Sequence, residues 1–320
     1  RGNNKEFVCP YHQWSYDLKG NLQGIPFKRG VNKAGGMPKD FNNQEHGLKK
    51  LRVTTLRGVI FASYSEEVEP IEEYLTPEIQ EEFEVVFSGK KLKLLGYYKN
   101  EIPCNWKMYH ENLKDPYHAT LLHSFLVVFG LLVAGNDSAM IADSKHFRHG
   151  TMASAKKEDK YASISEDNKK EMRSFHEGMR LEDERFLEFV KEFNSPWSVT
   201  MQTIFPNMIV QREMNTLGVR HIIPNGPNGM IMLWTMFGYE DDTEEMTQHR
   251  LRQGNLMGPS GFLGLEDNEA MKFVQEGVRR STTDLNVVKL DAGATGTANS
   301  LISEAAIRGM YRYYRQIMGF

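Results

Sequence analysis

The feature that most limits what this chain can be is a pair of histidines, His118 and His123, inside the stretch Asn105-Trp106-Lys107-Met108-Tyr109-His110-Glu111-Asn112-Leu113-Lys114-Asp115-Pro116-Tyr117-His118-Ala119-Thr120-Leu121-Leu122-His123. Asp115 lies one helical turn before His118, so its carboxylate can accept the other ring N–H and fix the tautomer, as happens where an imidazole ligates a metal. The spacing sets the two rings about 140° apart around a helix of roughly 3.6 residues per turn, so both can face one ion only across a bend. Pro116 and the polar run before it are the expected place for that bend.

Two histidines need a third ligand. With one carboxylate they would form the facial set of a non-haem iron site, which leaves positions open for other molecules. Asp115 is one candidate, although its nearness to His118 better suits orienting that ring. The others are Glu266, Asp267 and Glu269, which the glycine-rich loop Gly258-Pro259-Ser260-Gly261-Phe262-Leu263-Gly264-Leu265 delivers to a predicted helix start. Acidic residues there also simply favour a helix N-terminus.

At 320 residues, 40% hydrophobic and 25% charged, the chain has an ordinary globular make-up with room for two cores. The formal charge of −3 gives no basic stripe for a phosphate backbone, so no nucleic acid is expected as a partner. The most apolar run, Leu121 to Ala134, falls short of the roughly 20 residues of a spanning helix, so no membrane is expected either. Cys9 and Cys104 cannot make a disulfide framework and no secretory leader is present, which points to a reducing cytoplasm. Opening on Arg1 without an initiator Met, the chain reads as N-terminally incomplete.

Cys9-Pro10-Tyr11-His12 forms a tight loop between strand-like residues. One thiolate and one imidazole from a single turn suit a soft or borderline metal, although a buried thiol beside a satisfied histidine is the plainer reading. Short β runs continue at Gly24 to Phe27, Leu48 to Leu56 and Arg57 to Tyr64, making residues 1–68 a small all-β module. Residues 69–320 mix helices at Pro70 to Phe87, Arg180 to Phe193, Thr243 to Met257, Glu266 to Arg279 and Ser300 to Met318 with strands. The strands are expected at Lys91 to Asn100, Asp143 to Ala155, Ser198 to Met214, Gly218 to Ile223 and Gly229 to Tyr239. Lys156 to Arg173 reads as a solvated loop or lid. An antiparallel sheet backed by helices, an α+β fold, is the expected architecture of this larger part.

The motifs Asn105-Trp106-Lys107-x-x-x-Glu111-Asn112-x-x-Asp115-x-Tyr117-His118-x-x-x-x-His123 and Cys9-Pro10-Tyr11-His12-x-Trp14-x-Tyr16-Asp17-x-x-Gly20 resemble those of Rieske non-haem iron ring-hydroxylating oxygenases, large (alpha) subunits. Gly35-Gly36-Met37-Pro38-Lys39-Asp40-Phe41, Glu45-His46-Gly47-Leu48 and Ile307-Arg308-Gly309-Met310-Tyr311 extend the resemblance over most of the chain. It is nearest the branch acting on aromatic carboxylates, with its salicylate 5-hydroxylase, anthranilate and terephthalate oxygenases, and the salicylate type above all. The resemblance implies an all-β Rieske domain at 1–68, lacking its first Cys-x-His, and a helix-grip-like catalytic domain at 69–320. It implies that His118, His123 and Asp267 bind mononuclear Fe(II), and that Cys9 and His12 supply half the ligands of a [2Fe–2S] cluster. Asp115 would link His118 to His12 of a neighbouring subunit in a three-fold assembly, and Asn112 would sit beside the iron. Electrons would come from NADH through a reductase and a ferredoxin, and a small β subunit would accompany the trimer.

For the salicylate type, O₂ adds one hydroxyl to an aromatic acid and the second oxygen leaves as water; cis-dihydroxylation is the near alternative. Arg220 lies in an otherwise apolar strand, where a guanidinium is costly without an anion. It is the expected contact for the substrate carboxylate, a salt bridge within the protein being the alternative. Leu301 stands where terephthalate-type members would carry a second arginine, so one carboxylate is expected. Val127 to Leu132 and Met230 to Phe237 read as core or pocket lining, with Ser124, Val127 and Val128 less bulky than the aromatics expected around salicylate. His146 and His149 read as surface or interface groups, Cys104 as a buried thiol, and His110, His176, His221 and His249 lack a partner at ligand spacing. A zinc hydrolase using the same ligands and a redox-inactive fragment are the readings from other classes.

Overall fold

Glycine-punctuated β runs at the N-terminus pair as local hairpins. In the computed structural model, which describes residues 2–129, 137–155, 166–173, 176, 181–283 and 287–320, β1 (Glu6–Val8), β2 (Ser15–Asp17) and β3 (Leu22–Gly24) form one antiparallel sheet. A separate hairpin joins β4 (Arg52–Leu56) to β5 (Val59–Ser63). Its turn residues Arg57 and Gly58 both have positive φ, 50° and 84°, the two-residue geometry that follows the twist of paired strands. Residues 1–71 make one unit and residues 72–320 a second.

The second unit is organised by strands buried on both faces. After α1 (Ile71–Tyr74) and α2 (Pro77–Val86), β6 (Leu92–Ile102) leads into α3 (Trp106–Asn112), α4 (Tyr117–Leu122) and α5 (Ser124–Val128). Then come β7 (Ser138–Ala142), β8 (Gly150–Ser154), α6 (Glu166–Glu171), β9 (Val199–Ile204), β10 (Met208–Glu213), β11 (Thr216–Pro224) and β12 (Met230–Tyr239). The helices α7 (Glu244–Met257), α8 (Phe262–Arg280) and α9 (Ala305–Met318) follow. The strands form one antiparallel sheet in the order β6-β12-β11-β10-β9-β8-β7, the α+β architecture expected.

Successive residues point to opposite faces, and that settles which helix covers which side. On one face Gln202 donates to Ile79 O, Arg212 to Glu82 and the Tyr239 hydroxyl to Val86 O, which seats α2. On the other, Met201, Ile209, Met232 and Trp234 pack with Tyr109 of α3 and Met271 of α8.

Local chemistry explains where elements differ from expectation. Pro70 to Phe87 is two helices because Thr76 precedes Pro77 and is held extended, with ψ 159°. Asp143 to Ala155 is only partly strand: the Asp143 carboxylate accepts from the backbone of Lys145, His146 and His149, making a turn before β8. The described part of Arg180 to Phe193 holds a single 3₁₀ turn, Glu184–Phe186, since the Glu188 and Val190 carbonyls accept from Gln253 and Asn215 side chains instead of helical N–H groups. Ser198 to Met214 is the β9–β10 hairpin, with a cis Phe205–Pro206 bond in its turn. The ends of the Leu121 to Ala134 and Val127 to Leu132 segments, and most of Lys156 to Arg173, lie outside the described residues. No helix among the described residues is long and apolar enough to cross a membrane.

Candidate metal centre and pocket

Asn105 starts α3 as its N-cap, its side chain accepting from Lys107 N at 3.1 Å. Both histidines follow Pro116, so the bend between them is not at that proline. It is at His123 itself, which ends α4 and precedes α5 with φ −83° and ψ 68°, outside the helical region. The break brings the rings of His118 and His123 to 5.3 Å between centroids. Asp267 arrives from within α8, whose first turn begins at Phe262 rather than at Glu266, so a favourable charge at a helix start does not account for it.

His118 Nε2 and His123 Nε2 lie 3.5 Å and 3.2 Å from the same oxygen, Asp267 Oδ1. Among the described residues this is the one group of three His, Cys, Asp or Glu side chains with converging donor atoms, all within 4.8 Å of one another. Each ring has a carboxylate on its far side. His123 Nδ1 is 2.8 Å from Glu266 Oε2, and His118 Nδ1 is 3.6 Å from Asp115 Oδ2, ion-pair reach but longer than a hydrogen bond. Asn112 Nδ2 donates to Asp267 Oδ1 at 3.2 Å and lies 3.3 Å from His118 Nε2, while its Oδ1 is buried with no partner among the described residues.

Burial works against charge on His118, yet Asp115 and Asp267 outweigh it and lift the ring to about 10. His123 moves up against the same burial penalty under Asp267 and Glu266. Burial would raise Asp267, but the two imidazoles hold it far below the usual carboxylate range. Buried rings so disposed to hold a proton are equally disposed to hold a cation in its place.

The site opens on a cavity walled by apolar side chains, among them Leu126, Met201, Met214, Met257 and Leu263. Among the described residues of the apolar segment after His123, Leu126 lines this cavity; Ser124, Val127 and Val128 do not. Met230, Met232, Trp234 and Met236 are core, and so is Leu301. Arg220 is 1% exposed and lies behind the wall. Its Nη1 donates to the Tyr109 hydroxyl at 2.7 Å, its guanidinium stacks 3.9 Å over Trp234, and Nη2 is 3.8 Å from Met201 Sδ. Its Nε has no partner, and no carboxylate among the described residues is within ion-pair distance.

Elsewhere, Cys9 N–H donates to Trp14 O and Gln13 N–H to Cys9 O, both at 2.9 Å, closing a tight loop that carries His12. Hydrogen bonds from the Tyr11 and His12 backbone lower the Cys9 thiol, favouring the thiolate a metal needs. His149 is a correction: it is fully buried, with Phe205 N–H donating to Nδ1 at 3.0 Å and Nε2 2.9 Å from Tyr74 O. Three roles were not assigned from sequence: Glu266, weighed only as a possible ligand, faces His123 Nδ1, Tyr109 holds Arg220, and Glu213 lines the cavity. The Ile307 to Tyr311 motif is a brace. Arg308 donates to the Leu290, Asp291 and Ala294 carbonyls, and Tyr311 donates to Glu111 Oε2 at 2.6 Å, tying α9 to α3.

Residues 90–319 match the ring hydroxylating alpha subunit (catalytic domain) family, and residues 1–35 match the Rieske [2Fe-2S] domain. The chain belongs to the ring-hydroxylating oxygenase alpha subunits. The salicylate 5-hydroxylase large oxygenase component of Ralstonia sp is 46% identical, over 99% of this chain and 75% of that protein. The anthranilate 1,2-dioxygenase large subunit of Burkholderia cepacia is 39% identical over 100% and 75%. Terephthalate 1,2-dioxygenase, terminal oxygenase component subunit alpha 2, of Comamonas sp is 36% identical over 99% and 76%. In fold, the alpha subunit is similar to naphthalene 1,2-dioxygenase from Rhodococcus sp. bound to indole, with a TM-score of 0.72 at 22% identity over 99% of this chain and 76% of that one. The protein is therefore a Rieske-type aromatic ring-hydroxylating oxygenase, an oxidoreductase whose cofactors are a [2Fe–2S] cluster and a mononuclear iron. Two imidazoles, one carboxylate and the unpartnered Asn112 Oδ1 fit such an iron, and the zinc hydrolase reading falls to the family match.

Proposed function

We propose that this alpha subunit uses O₂ to add one hydroxyl to the ring of an aromatic monocarboxylate, at an iron held by His118, His123 and Asp267. The observation that carries the reading is a convergent donor set on one wall of an apolar cavity, with a buried guanidinium lacking a carboxylate partner just behind another. When bound, the iron supplies the oxygen chemistry. The side chains prepare the site. Asp115 and Glu266 face the Nδ1 atoms of the two imidazoles, which leaves both Nε2 atoms turned inward. Asn112 spans His118 and Asp267 and keeps their separation fixed.

The apolar wall takes the ring and excludes water. Arg220, fixed by Tyr109 and Trp234, offers its free edge to the acid once the flexible Met201 side chain moves aside. Likeness to salicylate, anthranilate and terephthalate oxygenases supports an acidic substrate, and the higher identity to the salicylate 5-hydroxylase supports single hydroxylation. Leu301, buried in the core, supports a single carboxylate. Cys9 and His12 are half of the cluster's ligand set, and Asp115 connects His118 to His12 of a neighbouring copy in a cytoplasmic trimer. A reductase and a ferredoxin would deliver NADH electrons to it, with a small β subunit alongside.

The test is the EPR spectrum of the ferrous protein with nitric oxide, before and after adding salicylate, anthranilate, benzoate or terephthalate. A nitrosyl signal that changes with a monocarboxylate and not with terephthalate is expected. No nitrosyl signal, with zinc bound instead, would overturn the reading.

A further inference from the structure

Four side chains on the cavity wall are thioethers. Met152 on β8 lies opposite Met201 on β9, Met214 follows β10 and Met257 ends α7, so separate elements deliver sulfur to one space. Among the described residues no Cys, Trp or Tyr lines the cavity, and its two imidazoles belong to the metal centre. The thioethers are therefore the most easily oxidised groups facing the place where O₂ is activated. Adaptable packing around a bound ring accounts for methionine in such a wall, but not for what one of the four touches.

Met201 is the one whose sulfur meets a hydrogen-bond donor among the described residues: Sδ lies 3.8 Å from Arg220 Nη2. An S–O bond is strongly polar, so charge builds on the oxygen as it forms, and a guanidinium N–H already in place stabilises it. One S–O bond plus an N–H···O bond of about 2.9 Å, bent at the oxygen, spans the present gap between Sδ and Nη2. At the other three positions the new oxygen would be buried in an apolar wall without a donor, a costly arrangement.

We propose that Met201 is an oxidation site through which misdirected oxygen chemistry in the cavity closes Arg220 to the substrate. O₂ that takes up two electrons and two protons with no ring to hydroxylate becomes hydrogen peroxide. The Met201 sulfur lone pair then takes one peroxide oxygen, the O–O bond breaks, and the other oxygen departs as water with both protons; sulfur is oxidised by two electrons and the peroxide reduced by two. The sulfoxide oxygen accepts from Arg220 Nη2 and so occupies the edge otherwise offered to the acid. This rests on the reading that places iron at His118, His123 and Asp267 and the acid at Arg220.

The assembled enzyme with both cofactors bound is reduced, then given O₂ and pentafluorobenzoate, an aromatic acid with no ring C–H, with catalase present to destroy peroxide that escapes. Peptide mass spectrometry reads the oxygen gained by each methionine. Met201 is expected to be oxidised first and furthest, while Met232 and Met271 of the core and the exposed Met318 stay at the level of an anaerobic control. Salicylate in place of the fluorinated acid should lower Met201 oxidation several-fold. Anaerobic calorimetry of the oxidised protein should show salicylate bound about 10-fold or more weakly than before, the value of one buried charge-assisted contact. Met201→Leu, a volume-conserving change, should bind salicylate equally before and after the treatment. Protein whose ferrous-nitrosyl signal confirms its mononuclear iron, yet whose Met201 is spared or oxidised no more than Met318, overturns the proposal; so does oxidised Met201 with salicylate binding unchanged. Absence of the nitrosyl signal overturns the metal reading beneath it.

Discussion

Lys114 stands one residue before Asp115 and is fully buried, its Nζ donating to Thr203 Oγ1. Burial pulls its pKa from 10.5 down to about 7, with Asp143 working the other way. Between those two values the unfolded chain holds a proton that the fold does not, so stability rises with pH across the window. Below about 7 both states are protonated and the penalty, at most ~5 kcal/mol for a shift of that size, is present in full. Lys114→Met is therefore expected to raise the melting temperature at pH 6 and to lose that advantage by pH 10. Thermal melts of both proteins at the two pH values check it, and an equal difference at both would show that Lys114 is not charged in the way its burial requires. The residue was invisible as a stability element in the sequence because it sits inside the metal signature, where every polar side chain looks functional.

At the scale of elements, a strand buried on both faces hides its own assignment. Every residue of β10 after Met208 is buried, so Gln211, Arg212 and Glu213 show no polar–apolar alternation from which to tell the face of α2 from the face of the metal. The His118 to His123 span was legible from local spacing and the strands of the large sheet from β-branched or aromatic runs, whereas Asn112 came only with the family resemblance. The partners of those residues were not, because Glu266 and Glu213 acquire meaning only when distant elements meet. Arg212 shows what the hidden face does. Its Nη2 is 2.6 Å from Glu82 Oε2 and its Nη1 donates to Trp197 O at 2.6 Å, both inside the protein, so it locks α2 to β10. Arg212→Met should cost ~3–5 kcal/mol by leaving Glu82 charged and unpaired, whereas Arg212→Met with Glu82→Met should recover most of that loss. Chemical denaturation of the two variants separates the outcomes; equal losses would mean the packing of Arg212 over Phe193, not the ion pair, holds the helix.

At the scale of the whole molecule, a two-cofactor oxygenase needs a route for an electron that ends at the mononuclear site, and Asp115 is the group with capacity to spare. Its Oδ1 accepts from Tyr117 N–H at 3.1 Å, its Oδ2 faces His118 Nδ1 at 3.6 Å, and the side chain is 29% exposed, open to a donor from another molecule. A residue that only oriented His118 would be expected to sit closer, as Glu266 does against His123 at 2.8 Å. Asp115→Asn keeps the shape and the bond from Tyr117 while removing the charge. In the full assembled enzyme, iron content and substrate affinity are expected to stay within about 2-fold of wild type, while re-oxidation of the reduced cluster in the presence of substrate and O₂ slows roughly 10–100-fold. Stopped-flow absorbance of the cluster, with metal analysis of the same sample, reads both quantities. If iron is lost in proportion to the rate, Asp115 serves its own histidine and the electron must reach the iron through another group; if the cluster re-oxidises normally with iron in place, the carboxylate is dispensable to electron transfer.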